Sequence, residues 1–148
     1  MHMLFFILLA VIAGAVLPVQ AAVNSRLGDA VNDSIYGTFL SFIVGLVALM
    51  PYVFSGKVKL SSLNNAFDQH WSIWTGGALG AFYVTSLIIL TPRLGVAMTL
   101  GLTVAGQMAF ALVMDHFGWL GLHVDPINWT KVIGIVLIVG GVWLLRAQ

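Results

Sequence analysis

Five long apolar stretches alternate with short polar ones, at residues 3–23, 35–54, 71–90, 94–114 and 129–145. A bilayer core about 30 Å thick takes roughly 20 apolar residues as helix, and four of the five runs meet that length. The fifth is shorter, giving about 25 Å at about 1.5 Å per residue, enough to cross with little tilt. Its interior has the Trp143 indole as its one polar side chain, and Gly134 and Gly141 fall on one face, which marks it as an assembly helix packing against another helix of a dimer. The first run also ends in Val19-Gln20-Ala21, the form of a secretory cleavage site. It has no Lys or Arg before it and is longer than a signal's apolar core, so it is read as a span.

Polar residues inside this pattern are few and fall in register. Gln20 and Asn24 are four apart, on one face of a helix, and Pro18 just before them frees a backbone carbonyl. In the fourth run Thr99, Thr103 and Gln107 form a line at the same spacing, with Gly106 beside it. Amides and hydroxyls at such depth must meet protein or water, so these faces are expected to point inward. Ser34, Thr38, Ser41 and Gly45 make a stripe of small residues in the second run, read as helix packing. Tyr83 follows a glycine face at Gly76, Gly77 and Gly80, and its hydroxyl fits either a cavity or a carbonyl in a packed core.

The breaks have their own chemistry. Asn32, Asp33 and Ser34 supply N-cap oxygens to the second run, and Thr91-Pro92-Arg93-Leu94-Gly95 reads as a tight turn between the third and fourth. Trp71 and Trp74 suit the bilayer interface. Asp115-His116 closes the fourth run; the pair is read as a capping or solvated feature in preference to a metal site.

Composition narrows the class. Hydrophobic residues make up 60% and charged residues 7%, with mean hydropathy +1.03, where soluble domains carry about a quarter charged. The chain is therefore an all-α integral membrane bundle in a single domain spanning 1–148. Cysteine is absent, which removes disulfides and thiol chemistry, and a net charge of +1 without a basic block gives no footprint for nucleic acid. No phosphate loop, dinucleotide-binding glycine pattern, nucleophile elbow or metal-ligand spacing is present, so an enzyme and a bound cofactor are not expected. The carboxylates are Asp29, Asp33, Asp68, Asp115 and Asp125, all at span ends, which argues against an acidic proton site in mid-membrane.

Charge also bears on orientation. Five spans put Lys57, Lys59 and Lys131 on one side and Arg26, Arg93 and Arg146 on the other, three against three, which gives the positive-inside rule no overall bias; the competing reading is that a local bias such as Lys57 with Lys59 fixes one orientation. Insertion in both directions, with antiparallel pairing into a ten-helix inverted repeat, is the expectation drawn from that tie. Arg93 is then expected to pair with Asp29 in its own chain as a clamp, or with Asp115 of an inverted copy as a gate.

Taken together, the run at 18–28, Pro92-Arg93-Leu94-Gly95, Ala105-Gly106-Gln107 and Asp115-His116-Phe117-Gly118 resemble the YdcZ family of five-helix bacterial proteins in the drug/metabolite transporter superfamily. The resemblance covers essentially the whole chain, and it carries Pro18, Gln20, Asn24, Pro92, Arg93, Gly95, Gly106, Gln107 and Asp115 onto the family pattern. It implies an inner-membrane secondary transporter that moves small metabolites or drug-like solutes by alternating access, built from five-helix halves that pair with themselves or with a five-helix homologue. The glutamate that couples small multidrug exporters to protons has no counterpart here. Gln20, Asn24, Tyr83, Thr103 and Gln107 are the expected substrate-binding residues, and their neutral amides and hydroxyls suit a small polar or zwitterionic solute. The competing reading is a membrane scaffold or accessory subunit that transports nothing and uses the same groups to bond helices together.

Overall fold

Each apolar run forms a helix, and three of the helices end against a residue of positive φ: Asn32, Gly95 and Gly118. The computed structural model describes residues 2–56 and 67–146. Among these α1 spans His2–Ala30, α2 Ser34–Val53, α3 Thr75–Leu94, α4 Val96–Phe117 and α5 Trp129–Arg146. A short 3-10 turn, Trp71–Trp74, leads into α3, and another, Trp119–Gly121, follows α4. Four helical segments are long and apolar enough to cross a membrane, namely Met3–Ala30, Ser34–Val53, Trp71–Leu94 and Val96–Phe117; the fifth helix is apolar over the shorter stretch Trp129–Leu144. Lys57 and Lys59 lie outside the described residues.

Two boundaries differ from expectation. The first helix does not stop at residue 23: it runs through Pro18 and on to Ala30, so Asn24, Ser25 and Arg26 are helical. What stops it is Asn32, at φ +53, with Asn32 N–H donating to Asp29 O and Asp33 N–H to Gly28 O, both at 3.1 Å. That is a Schellman closure with asparagine in the left-handed position. Asp33 then begins α2 at once, its Oδ1 accepting the Tyr36 N–H at 2.6 Å. The second correction concerns Pro92. The helix passes through it to Leu94, and the break falls at Gly95, at φ +79 and ψ 158, a region essentially closed to other residues. A proline in the last turn removes one donor without having to end the helix.

The chain forms two units, residues 1–93 and 94–148. In the first, α1 and α2 make an antiparallel hairpin in a register of four-residue steps. A Cβ built on Gly37 would lie 2.7 Å from Gly28 Cα, and one turn on, Ser41 meets Asn24. α3 runs parallel to α1: Gly28 faces Ile88, and Thr38 and Phe42 of α2 face Thr85 and Gly80 in opposite order. Ala21, Val84, Leu87 and Ile88 form the small apolar core of this unit.

In the second unit α4 packs on α5. Val142 seats in the notch at Gly101, where a Cβ would stand 2.7 Å from Val142 Cγ2. Among the described residues the expected contact residues of the last helix, Gly134 and Gly141, have nothing outside their own helix within 4 Å of a built Cβ, whereas Gly101 meets Val142 closely. At the end of α4, Gly118 takes the left-handed cap position. The connector is tied down by three bonds: Ile127 N–H to His116 Nδ1, Asp125 N–H to Asp115 O, and Lys131 N–H to Asn128 Oδ1.

Burial is inverted relative to a soluble protein. Asn24, Ser25, Thr38, Thr91 and Thr99 are buried, while Phe82 is 74% exposed and Trp129 81%. Small polar residues inside and large apolar ones outside is the arrangement a lipid solvent selects.

Candidate functional site

The first unit concentrates its polar chemistry between α1, α2 and α3. Asn24 is 95% buried by its 5% exposure, and its Oδ1 accepts the Ser41 hydroxyl at 3.0 Å. Its Nδ2 has no partner. Exchanging the two ends of the amide would only move the vacancy to the oxygen, so one end of a buried amide is unsatisfied either way. One turn further, Thr38 donates to Ser34 O at 2.9 Å. A hydroxyl has one proton, so in the 2.8 Å contact between Thr38 and Thr85 the donor is Thr85.

On the other side of Asn24 the packing opens. The next four-residue step sets Gln20 opposite Gly45, and both line a cleft of about 410 Å3 with Ser41. Phe42, Leu46, Leu49 and Val84 supply its apolar walls. Among the described residues no atom outside its own helix lies within 4 Å of where a Gly45 Cβ would be, so this glycine is open floor. The volume falls within the roughly 300–1,000 Å3 of small-molecule sites, and apolar walls with a few placed polar groups are their usual make-up. The cleft can accept and donate hydrogen bonds through Gln20 and Ser41, and it carries no ionisable side chain.

The remaining expected site residues are placed as follows. Tyr83 is half-buried on α3, and among the described residues its hydroxyl has no hydrogen-bond partner and does not line the cleft. In the second unit Thr103 is half-buried and donates to Leu100 O at 3.0 Å, and Gln107 is exposed. Thr99, from the same polar line, is fully buried with its hydroxyl unsatisfied.

Arg93 is exposed and so is Asp29; they share one end of the first unit, yet they form no ion pair. Among the described residues the ion pair present is Lys131 with Asp125, at 2.6 Å. Lys131 Nζ also donates to Asp125 O at 3.4 Å and Pro126 O at 3.1 Å, so its three protons are engaged. Beside it a second cleft of about 290 Å3 runs between α4 and α5. Met108, Ala111, Leu112, Ile135 and Ile138 wall it, Gly134 lies within it, and Asp115 shares its polar end with Lys131. No group of three metal-ligating side chains occurs among the described residues, and His116 spends its Nδ1 on Ile127.

The face that Gln20 and Asn24 share was expected to point inward; Asn24 does, Gln20 is exposed at the cleft, and sequence spacing missed what they face. Ser41 belonged to the small-residue stripe read as packing, and it proves to be both the partner of Asn24 and a wall of the cleft. The available signal was the matching four-residue step on α2 from Gly37 through Ser41 to Gly45.

A family model described as "Putative inner membrane exporter, YdcZ" matches residues 5–144. The Inner membrane protein YdcZ of Escherichia coli (strain K12) is 24% identical over 136 residues, covering 92% of this chain and 91% of the relative. No solved structure matches. The family's description is that of a membrane exporter and points away from catalysis. A relative in the inner membrane and several helices able to span a bilayer place this chain there too, in contact with lipid. The chain belongs to the YdcZ family of inner-membrane transport proteins.

Proposed function

We propose that the chain is one half of a ten-helix secondary transporter that moves a small polar or zwitterionic solute by alternating access, assembled from two inverted copies or from one copy and a five-helix homologue. The observation that carries this reading is the cleft at Gln20 and Ser41, backed by an Asn24 amide left half-satisfied. A buried amide with an unfilled bond costs about 1–3 kcal/mol, which an arriving hydrogen-bonding solute, or a rearrangement of α1 against α2, would recover. Gln20 and Ser41 are the groups that touch the solute, and Asn24 positions Ser41.

Alternating access also needs a fixed end and a free end. Gly28 and Gly37 hold α1 and α2 backbone to backbone at one end, while residues 3–16 of α1 are exposed throughout. Pro18 sits at the junction, where Gly14 O lacks its usual helical donor, so bending costs less there than elsewhere in α1.

The test is flux of a metabolite panel into liposomes containing the purified protein, with and without a proton gradient. Wild type is expected to move at least one small polar solute faster than protein-free liposomes, and Gln20→Leu to lose that rate while remaining folded. Gln20→Leu with unchanged flux would remove the cleft from the mechanism. Absence of flux for every solute, with protein correctly inserted, would favour the scaffold.

A further inference from the structure

Asp115 and Arg93, charges of opposite sign, are both without an ion-pair partner among the described residues. Asp115 sits half-buried at the polar end of the α4/α5 cleft, and its carboxylate takes no hydrogen bond or ion pair among the described residues. Its cationic neighbour Lys131 cannot serve it, because the three Lys131 protons go to Asp125 and Pro126. Arg93 is likewise unpaired and exposed.

These two cannot meet inside one chain. α4 begins just after Arg93, and its stretch from Val96 to Asp115 rises about 30 Å at about 1.5 Å per residue, which is the thickness of the bilayer core. Inverting a second copy brings its Arg93 to the depth of Asp115, and the even split of Lys and Arg, three against three, leaves both orientations open to the chain.

We propose that the cleft between α4 and α5 receives Arg93 of a second, inverted copy of this chain, with the guanidinium on Asp115 and the methylene stem along the apolar walls. The proposal rests on the inverted pair proposed above and names its contact. Three features of the cleft fit this occupant. Its one unspent charge is negative. Leu112 and Ile135 offer the apolar surface an arginine stem covers. Gly134 leaves room, since no atom lies within 4 Å of its would-be Cβ. The planar fork of arginine also matches a carboxylate at two points, which lysine would not. By symmetry the contact occurs twice per pair, once at each bilayer surface, so it can open on one face while closed on the other.

The chain has no cysteine, which makes the test direct. Differently tagged Arg93→Cys and Asp115→Cys chains are co-expressed, and membranes are treated with a short bismaleimide, because an ion pair holds backbones farther apart than a disulfide tolerates. The expected result is a mixed-tag cross-link, weaker self-links for either variant, and several-fold less product when Arg26→Cys replaces Arg93→Cys. The double variant R93D/D115R should recover the dimer fraction lost by Arg93→Asp alone. Mixed insertion of C-terminal tags without the Arg93 to Asp115 link would overturn this contact and leave the inverted pair standing. Tags on one side only would overturn both. An ethanolamine lipid co-purifying with wild type and lost in Asp115→Asn, with no cross-link, would make a lipid ammonium the occupant and also overturn the proposal.

Discussion

Gly28 and Gly37 touch backbone to backbone: a Cβ on Gly37 would lie 2.7 Å from Gly28 Cα and 2.9 Å from Gly28 N. Backbone atoms cannot step aside as a flexible side chain can, so this contact sets the register of α1 on α2, and with it the meeting of Asn24 with Ser41. Gly37→Ala is expected to destabilise the first unit by about 1–3 kcal/mol. Chemical unfolding in detergent, followed by helicity, measures it. A loss within error of zero would show that the helices slide freely.

Ser41→Ala removes the donor to a buried amide oxygen. Hydrogen bonds between membrane helices average about 0.6 kcal/mol in double-mutant cycles, and a cycle of Ser41→Ala with Asn24→Leu should give a coupling of that order. Because each single change strands the other partner of the bond and the double strands neither, the double variant should lose less stability than the two single changes summed. Strict additivity would mean that the two side chains do not interact.

Gly101 and Gly141 should behave oppositely when enlarged. A methyl at Gly101 meets Val142 at 2.7 Å, so Gly101→Ala should loosen α4 from α5 and be partly rescued by Val142→Ala. Among the described residues nothing outside its own helix lies within 4 Å of a Cβ built on Gly141. Gly141→Leu should therefore spare the fold of the single chain and weaken self-association, on the order of 1–3 kcal/mol by overpacking. Sedimentation in detergent distinguishes the two. Equal loss of dimer in both variants would contradict the assignment.

The helices and their apolar character were legible because the bilayer imposes its length on every span. The ends were less so. Polarity from Gln20 to Arg26 marks where the chain leaves hydrocarbon, yet a helix in water or against protein has no reason to stop there, and α1 stops only where Asn32 turns left-handed. Pro92 looked like the break and Gly95 is the break, because a last-turn proline forfeits one donor while φ +79 cannot be helical. In the site, the spacing of four exposed the Gln20 and Asn24 face. The contacts Gly28 with Gly37 and Gly101 with Val142 were hidden: with 16 glycines in the chain, which ones receive a neighbour depends on register between distant segments, and no local pattern encodes it.

The cleft floor gives the cleanest probe of transport itself. Gly45 lines the cleft with Gln20, and among the described residues a Cβ there meets no atom within 4 Å outside its own helix, so the side chain of Gly45→Leu starts into open cleft. Solute flux into liposomes, compared between wild type and Gly45→Leu at matched insertion and stability, is the direct test of transport through this cleft. Wild type is expected to move a small polar solute and Gly45→Leu to reduce the rate at least tenfold. Flux that survives a leucine at this position would contradict transport through the cleft.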